Sequence, residues 1–274
     1  YAKKRLFSDI LNTNGIAVIN RDSNEYDYLE SACNEKNLKI ISYGFHEESD
    51  LRLLSTIPCD EGQSVKIKIE NKIFTFVLPL YGSFQSHNAL CALGLVIASG
   101  KSAVDSIDAM KLLKGVRGRM DLVATFPNNS KIFVDYAHTP AALETALLAS
   151  REYCRSKIYL VFGCGGDRDK IKRKQMGIIA EKYANNVFVT DDNPRSEDPK
   201  SIRKEILQSC SKAIDAGDRK HAIKLAIKNL SENDVLLVAG KGHETNQLVG
   251  EQVIYFDDFD KIKKSINKIE ELKF

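Results

Sequence analysis

Nowhere do the 274 residues hold an apolar run approaching the roughly 20 that a membrane-spanning helix requires, so no membrane association is expected. No Cys-x-x-Cys pair occurs among Cys33, Cys59, Cys91, Cys154, Cys164 and Cys210. Zinc ribbons and thioredoxin-like redox centres need that spacing and are excluded. A chain of this length builds a core without disulfides, so the thiols read as reduced and the protein as cytoplasmic. No charged-then-apolar leader opens the sequence, and no secretory signal is expected. Neither sign of charge dominates. Lys and Arg number 40 against 37 Asp and Glu, a net charge of +3 that is too even for a nucleic-acid-binding surface. With 43% hydrophobic and 28% charged residues, the composition is that of a globular protein of one large or two ordinary domains.

A phosphate-binding P-loop is missing as well. The nearest approach, Gly94 to Gly100-Lys101-Ser102, has one residue too many between its glycines. It also ends an apolar helix instead of opening one, so its amides would not cradle a phosphate. By itself the sequence shows no means of holding a triphosphate.

What is present falls into two grammars, and neither contains internal repeats or low-complexity linkers. Before residue 115 the elements are mixed. Gly15 to Asn20 reads as a strand, and the helix after it carries Tyr28, Leu29, Ala32 and Cys33 on one face. Leu38 to Tyr43 is a second strand. The alternation from Val65 to Leu78 predicts a hairpin turning at Glu70-Asn71. His87 to Ser99 is a buried helix stopped by Gly100. After a boundary near Lys114 to Arg119, four apolar strands appear: Ile132–Val134, Ile158–Phe162, Val187–Thr190 and Val235–Ala239. Helical patterns separate them. One is capped by Asp198-Pro199 and is expected to continue through Ile202, Ile206, Leu207, Cys210 and Ile214. Strand–helix alternation predicts an α/β fold with a parallel sheet covered by helices.

Each of these strands runs into polar residues. The four clusters are Asp135-Tyr136-Ala137-His138-Thr139-Pro140, Gly163-Cys164-Gly165-Gly166-Asp167-Arg168-Asp169, Asp191-Asp192-Asn193-Pro194-Arg195 and Gly240-Lys241-Gly242-His243-Glu244. Ligands of open parallel sheets bind beyond the carboxyl ends of the strands, so all four should meet on one edge. Singly, each has a bland reading as a helix cap or a turn. Jointly they point to a site. Arg168 and Arg195 can each grip a carboxylate with a planar fork. Glu244 and Asp192, with the amide of Asn193, can hold an ammonium group. A pocket of both signs suits a zwitterionic amino acid better than a bare phosphate.

With these motifs quoted, the sequence resembles the Mur ligase family of peptidoglycan synthesis, in particular its branch adding meso-2,6-diaminopimelate to UDP-N-acetylmuramoyl-L-alanyl-D-glutamate. The likeness covers nearly the whole chain and is strongest from Gly118-Arg119-Met120-Asp121 onward, where all four clusters match in order and spacing. It implies a Rossmann-like, mostly parallel C-terminal sheet with helices on both faces, over residues 116–274. It also implies that residues 1–115 are a truncated part of an α/β ATPase central domain. The implied activity is amide-bond formation with ATP and Mg²⁺, through an acyl phosphate, by a monomer.

Carried over by position, the resemblance gives Arg195 and Arg168 the distal carboxylate of diaminopimelate. Asp192, Asn193, Pro194, Gly240 and Glu244 complete that pocket. Arg119, Asp135 and His138 fall to ATP phosphate and ribose, and Asn88 to adenine; Gln85 departs from the more usual asparagine. Lys3, in Ala2-Lys3-Lys4-Arg5-Leu6-Phe7, resembles the carbamylated lysine, a catalytic group whose anionic form can bind Mg²⁺ as an ammonium cannot. Lys4 is the alternative register. The resemblance further implies that a nucleotide-sugar domain and a P-loop precede Tyr1, and that this segment is inactive alone.

Three rival readings remain. A lysine-adding relative would lack the arginine of the Asp-Asn-Pro-Arg run. A non-catalytic amino-acid-binding α/β module would use the same pocket without chemistry. A nicotinamide-dependent dehydrogenase would use the glycine loop, but the Gly-x-Gly-x-x-Gly spacing is absent. Asp191 also lies about 25 residues beyond that loop, where a ribose partner is expected at about 20.

Overall fold

The computed structural model describes residues 2–12 and 14–271, with only the backbone for residues 2, 3 and 269–271. The chain divides into two compact units, Tyr1–Lys114 and Gly115–Phe274.

In the first unit, α1 (Ala2–Arg5) leads through a π-helical turn, Leu6–Ile10, to β1 (Ile16–Asn20), α2 (Tyr26–Glu35) and β2 (Lys39–Gly44). Strands β3 (Leu51–Cys59), β4 (Gly62–Ile69) and β5 (Lys72–Leu78) follow, then helices α3 (Phe84–Ala98) and α4 (Ala103–Met110). The sheet order is β1-β2-β3-β4-β5, parallel from β1 to β3 and antiparallel beyond. The expected hairpin forms, turning at Glu70 in a left-handed conformation (φ 53°). Its inward residues Val65, Ile67, Phe76 and Leu78 pack with Leu90 and Leu93 of α3. Gly100, at φ 89°, ends α3 as anticipated.

Two expectations need correction in this unit. The buried face of α2 is Tyr26, Leu29, Ala32 and Cys33, whereas Tyr28 is 49% exposed, with the Lys4 ammonium over its ring. Strand β3 was not foreseen, and its Pro58 is unusual in a central strand. Proline is tolerated there because β2 pairs only with Leu51 and Arg52, leaving the rest of β3 as an edge.

The second unit holds β6 (Asp121–Thr125), β7 (Lys131–Asp135), α5 (Pro140–Glu152), β8 (Ile158–Phe162), α6 (Ile171–Tyr183), β9 (Asn186–Thr190) and α7 (Pro199–Leu207). It continues with β10 (Ala213–Gly217), α8 (Arg219–Lys228), β11 (Val235–Ala239), a hairpin of β12 (Asn246–Val249) and β13 (Gln252–Tyr255), and α9 (Asp258–Glu271). The six-stranded order is β10-β9-β8-β11-β7-β6, parallel except for β6. Strands β7, β8 and β11 are buried along their whole length. Both faces are therefore covered, as the continuous apolar runs require. Ile132, Val134, Val161, Leu236 and Val238 meet α8 and α9 on one face, and α5 packs on β8 and β11 from the other.

Helix α7 starts where Asp198 caps the Lys200 and Ser201 amides, but it stops at Leu207 rather than reaching Ile214. Cys210, only 1% exposed, continues the apolar spacing past the helix end. Ile214 instead lies in edge strand β10 and is half exposed. No helix among the described residues is long and apolar enough to cross a membrane. Leu237 is fully buried at the centre of the larger sheet. Leu237→Ala is expected to destabilise the second unit by about 2–5 kcal/mol, read from urea unfolding. A loss under about 0.5 kcal/mol would contradict this account of the core.

Candidate functional site

Because β7, β8, β9 and β11 run parallel, their carboxyl ends lie on one edge, and the loops leaving them surround a cavity of about 480 Å³. Arg168, Asp192, Asn193 and Arg195 line it. So do His138, Gly240 and Glu244. Seven of the expected residues are thus brought together. Pro194, in the loop after β9, Asp135, at the end of β7, and Arg119, just before β6, are not among its walls.

The acidic wall is built around Lys241, which the sequence reading passed over. Its fully buried ammonium donates to Asn193 Oδ1 (3.2 Å), Glu244 Oε2 (3.1 Å) and the Asn246 carbonyl (2.6 Å). Three N–H donors meet three acceptors, so the burial is compensated. The Asn193 amide, expected to help hold an ammonium, is instead committed inward. Its Nδ2 donates to Glu244 Oε2 (3.0 Å), and its Oδ1 also accepts from the Leu248 amide (3.0 Å). Asn193 therefore orients Glu244. Asp192, 8% exposed, accepts from the Asn193 backbone N–H and forms no ion pair with any described residue. Gly240 leaves room for it, since a Cβ there would lie 2.9 Å from Asp192 Oδ2.

The basic wall has the opposite character. Neither Arg168 nor Arg195 has a carboxylate partner among the described residues. Arg168 Nη1 donates to the Asp167 carbonyl (3.1 Å), and Arg195 Nη1 to the Gly166 carbonyl (2.8 Å) and, at 3.4 Å, to that of Asn193. Asp167 and Arg195 both take left-handed backbone conformations, φ 52° and 50°. Non-glycine residues hold these only when the surroundings dictate it. Here the surroundings do. Gly166 N–H donates to the Asn193 carbonyl (2.9 Å), and the Asp167 carboxylate accepts from the Ser196 amide (3.1 Å) and hydroxyl (2.7 Å). The glycines allow the two loops to touch. A Cβ on Gly166 would fall 2.0 Å from the Pro194 carbonyl, and one on Gly163 2.2 Å from that of Thr190. Behind the loops, fully buried Arg173 pairs with Glu197 and Glu205.

The residues expected at the nucleotide divide differently. Asp135 is buried, and its two oxygens accept from the Met120 and Ala137 amides, each at 2.7 Å. Burial pushes its carboxyl up from the ordinary value, and the two amides and Arg119 oppose that shift. It is a tie between loops. Arg119 is exposed, its guanidinium 4.7 Å above the Tyr136 ring, which also adjoins His138 (4.6 Å) and His243 (5.1 Å). His138 is exposed beside this ring, with Nδ1 2.9 Å from the Tyr136 carbonyl. In the first unit, Asn88 is exposed on α3 and donates to Gln85 Oε1 (3.0 Å). Lys3 falls in α1, and its side chain lies outside the described part. Among the described residues, no group of three or more His, Cys, Asp or Glu is placed to hold a metal ion.

A family model described as the Mur ligase, glutamate ligase domain matches residues 118–242, and one described as the Mur ligase middle domain matches residues 1–96. The chain belongs to the Mur ligase family. It is 42% identical over 270 residues to the UDP-N-acetylmuramoyl-L-alanyl-D-glutamate–2,6-diaminopimelate ligase of Rickettsia montanensis, covering 97% of this chain and 55% of that protein. Identity to the ligase of the same name from Caulobacter vibrioides is 44% over 257 residues, 94% of this chain and 53% of the relative. A solved structure of a ligase with this name superposes with TM-score 0.70 at 31% identity, over 98% of this chain and 56% of that one. Mycobacterium tuberculosis folylpolyglutamate synthase complexed with ADP shares the fold, with TM-score 0.66 at 19% identity, over 82% of this chain and 52% of its own. The chain spans about half the length of the curated relatives it matches.

Sequence reasoning missed Lys241, Tyr136, His243, Arg173 and Glu197. The first three stood inside quoted motifs. Arg173 sits in a basic run that reads as a solvated face, and Glu197 beside a helix cap. Hydrogen bonds from Arg173 hold the Glu197 carboxyl far below its ordinary 4.5, at about 2. A carboxylate depressed in the folded state contributes stability that is complete above its unfolded value and is lost as pH falls toward the folded one. Acid unfolding followed by circular dichroism should therefore be steeper between pH 4.5 and 2 for the native chain than for Glu197→Gln. Superimposable acid limbs would refute the assignment.

Proposed function

We propose that this chain carries the amino-acid-recognition part of an ATP-dependent ligase, and that the full-length enzyme joins meso-2,6-diaminopimelate to UDP-N-acetylmuramoyl-L-alanyl-D-glutamate. The carrying observation is the cleft in which two guanidinium groups without carboxylate partners among the described residues, Arg168 and Arg195, share walls with the carboxylates of Asp192 and Glu244. Diaminopimelate has a second ammonium and a second carboxylate on its distal carbon, one for each wall. The names of the relatives favour the same substrate.

In this reading the γ-phosphoryl group of ATP passes to the terminal carboxylate of the dipeptide, leaving ADP. The free amine of diaminopimelate then attacks the acyl carbon. A C–N bond forms, the C–O bond to phosphate breaks with the electron pair leaving on phosphate, and nitrogen sheds a proton. The cleft residues orient the amino acid: Arg195 and Arg168 fix its distal carboxylate, and Asp192 and Glu244 accept from its distal ammonium. Holding a nucleophile in line with its target is a large part of such catalysis. Arg119, backed by the Tyr136 ring and fixed through Asp135, serves nucleotide phosphate, with His138 beside it and Asn88 for adenine. Carbamylated Lys3 would hold Mg²⁺, which would offset charge on the transferring phosphoryl group, and the enzyme is read as a cytoplasmic monomer.

Calorimetry of the purified chain with meso-diaminopimelate and with L-lysine tests the pocket. Binding of the former is expected to be tighter. Arg195→Ala should weaken it about 10–100-fold, as loss of a charge-assisted pair does, while leaving lysine unaffected. Equal affinity for both amino acids in the native chain would overturn the substrate assignment.

A further inference from the structure

The guanidinium of Arg195 is aimed by a group that does not touch the cleft. One planar peptide unit joins Gly166 to Asp167. Its carbonyl accepts from Arg195 Nη1 at 2.8 Å, and its N–H donates to Glu197 Oε1 at 2.7 Å. Because the peptide is rigid, fixing its N–H side fixes the direction of its carbonyl on the other. Glu197 does not line the cavity. It is anchored from behind by Arg173, whose Nη1 and Nη2 donate to its two oxygens at 3.0 and 2.8 Å. Arg173 is fully buried and also bonds Glu205 (3.1 Å), so its fork is immobile. The Glu197 charge has a second effect: a carboxylate accepting the peptide N–H polarises the peptide and strengthens its carbonyl as an acceptor.

The consequence for Arg195 follows from donor arithmetic. Of five N–H donors on a guanidinium, those on Nη1 face the Gly166 and Asn193 carbonyls, while Nε and Nη2 have no partner among the described residues. Those free groups form one edge of the planar fork, the arrangement that takes a carboxylate in two parallel bonds. Backbone strain supports the same relay. Asp167, whose N–H belongs to the shared peptide, and Arg195, which donates to it, are both left-handed, and Gly166 admits no side chain against the Pro194 carbonyl.

We propose that Glu197 is a positioning residue: by gripping the Gly166–Asp167 peptide it holds the free edge of Arg195 toward the cleft, and thereby sets the preference for an amino acid with a second carboxylate. This rests on the diaminopimelate reading of the cleft.

The test uses the purified 274-residue chain with Glu197→Ala, Glu197→Asp and Glu197→Gln. Gln keeps the length and an acceptor for the Asp167 N–H. Asp keeps the charge toward Arg173 but withdraws from the peptide, and it serves if the alanine variant does not fold. Calorimetry should show meso-diaminopimelate affinity about ten-fold weaker in the Ala and Asp variants, the scale of one charge-assisted hydrogen bond. L-lysine affinity should be unchanged, and the Gln variant should retain most of the discrimination. A merely structural residue would weaken both ligands together, and that result, or unchanged discrimination in all three folded variants, overturns the proposal. Should the native chain bind no diaminopimelate, the substrate reading fails by itself. The relay is then judged without ligand from the Arg195 Nε–H signal in ¹⁵N-arginine spectra. That signal should broaden in the Ala and Asp variants but not in Gln, and an unaltered signal would count against the relay.

Discussion

One buried cation organises the recognition edge. Lys241 closes β11 with its ammonium sealed from water, satisfied by Asn193, Glu244 and the Asn246 carbonyl. A buried charge of this kind is tolerated only where every hydrogen finds an acceptor, so the three segments supplying them cannot move independently. Through Asn193 the loop after β9 is fixed, through Asn246 the β12–β13 hairpin, and through Glu244 the acidic wall itself. The hairpin closes the circuit: the Arg195 amide donates to the Leu248 carbonyl at 3.0 Å, and the Gly250 amide to the Arg195 carbonyl at 2.7 Å. The acidic and basic walls thus share one scaffold.

The division of labour on that scaffold separates groups that face the cavity from groups that hold others. Arg168, Asp192 and Glu244 present charge to the opening. Asp135, Arg173 and Glu197, together with Asn193 (which also lines the cavity), bind backbone or other side chains, and all but Glu197 are buried. Such ties are what keep a binding constellation within tenths of an ångström of its working geometry.

The edge was legible in the sequence because the strands are so thoroughly apolar. A parallel strand buried on both faces leaves no doubt where it ends, and the polar residues that follow must lie at the carboxyl edge. Direction along the chain therefore translated into position in space. Strands β6, β10, β12 and β13 were not legible. The burial pattern of β12 and β13 offers no apolar alternation to read. Ahead of β10, Cys210 prolonged a helical period that the backbone had already abandoned. Hydrogen-bond partners lay beyond reach for a different reason. The amide of Asn193 looks the same in sequence whether it faces a substrate or Lys241, and the carboxylate of Glu197 looks like a mere neighbour of a helix cap until Arg173 is placed behind it.

The glycines of the β8 loop carry a consequence for how this architecture can diversify. With Gly163 and Gly166 pressed against carbonyls at distances no methyl could share, the main-chain path is closed to gradual remodelling. A lineage acquiring taste for a different building block would be confined to exchanging side chains on an inherited frame. Swapping arginine for a neutral residue at the tip is an open route, and re-routing the loop is not.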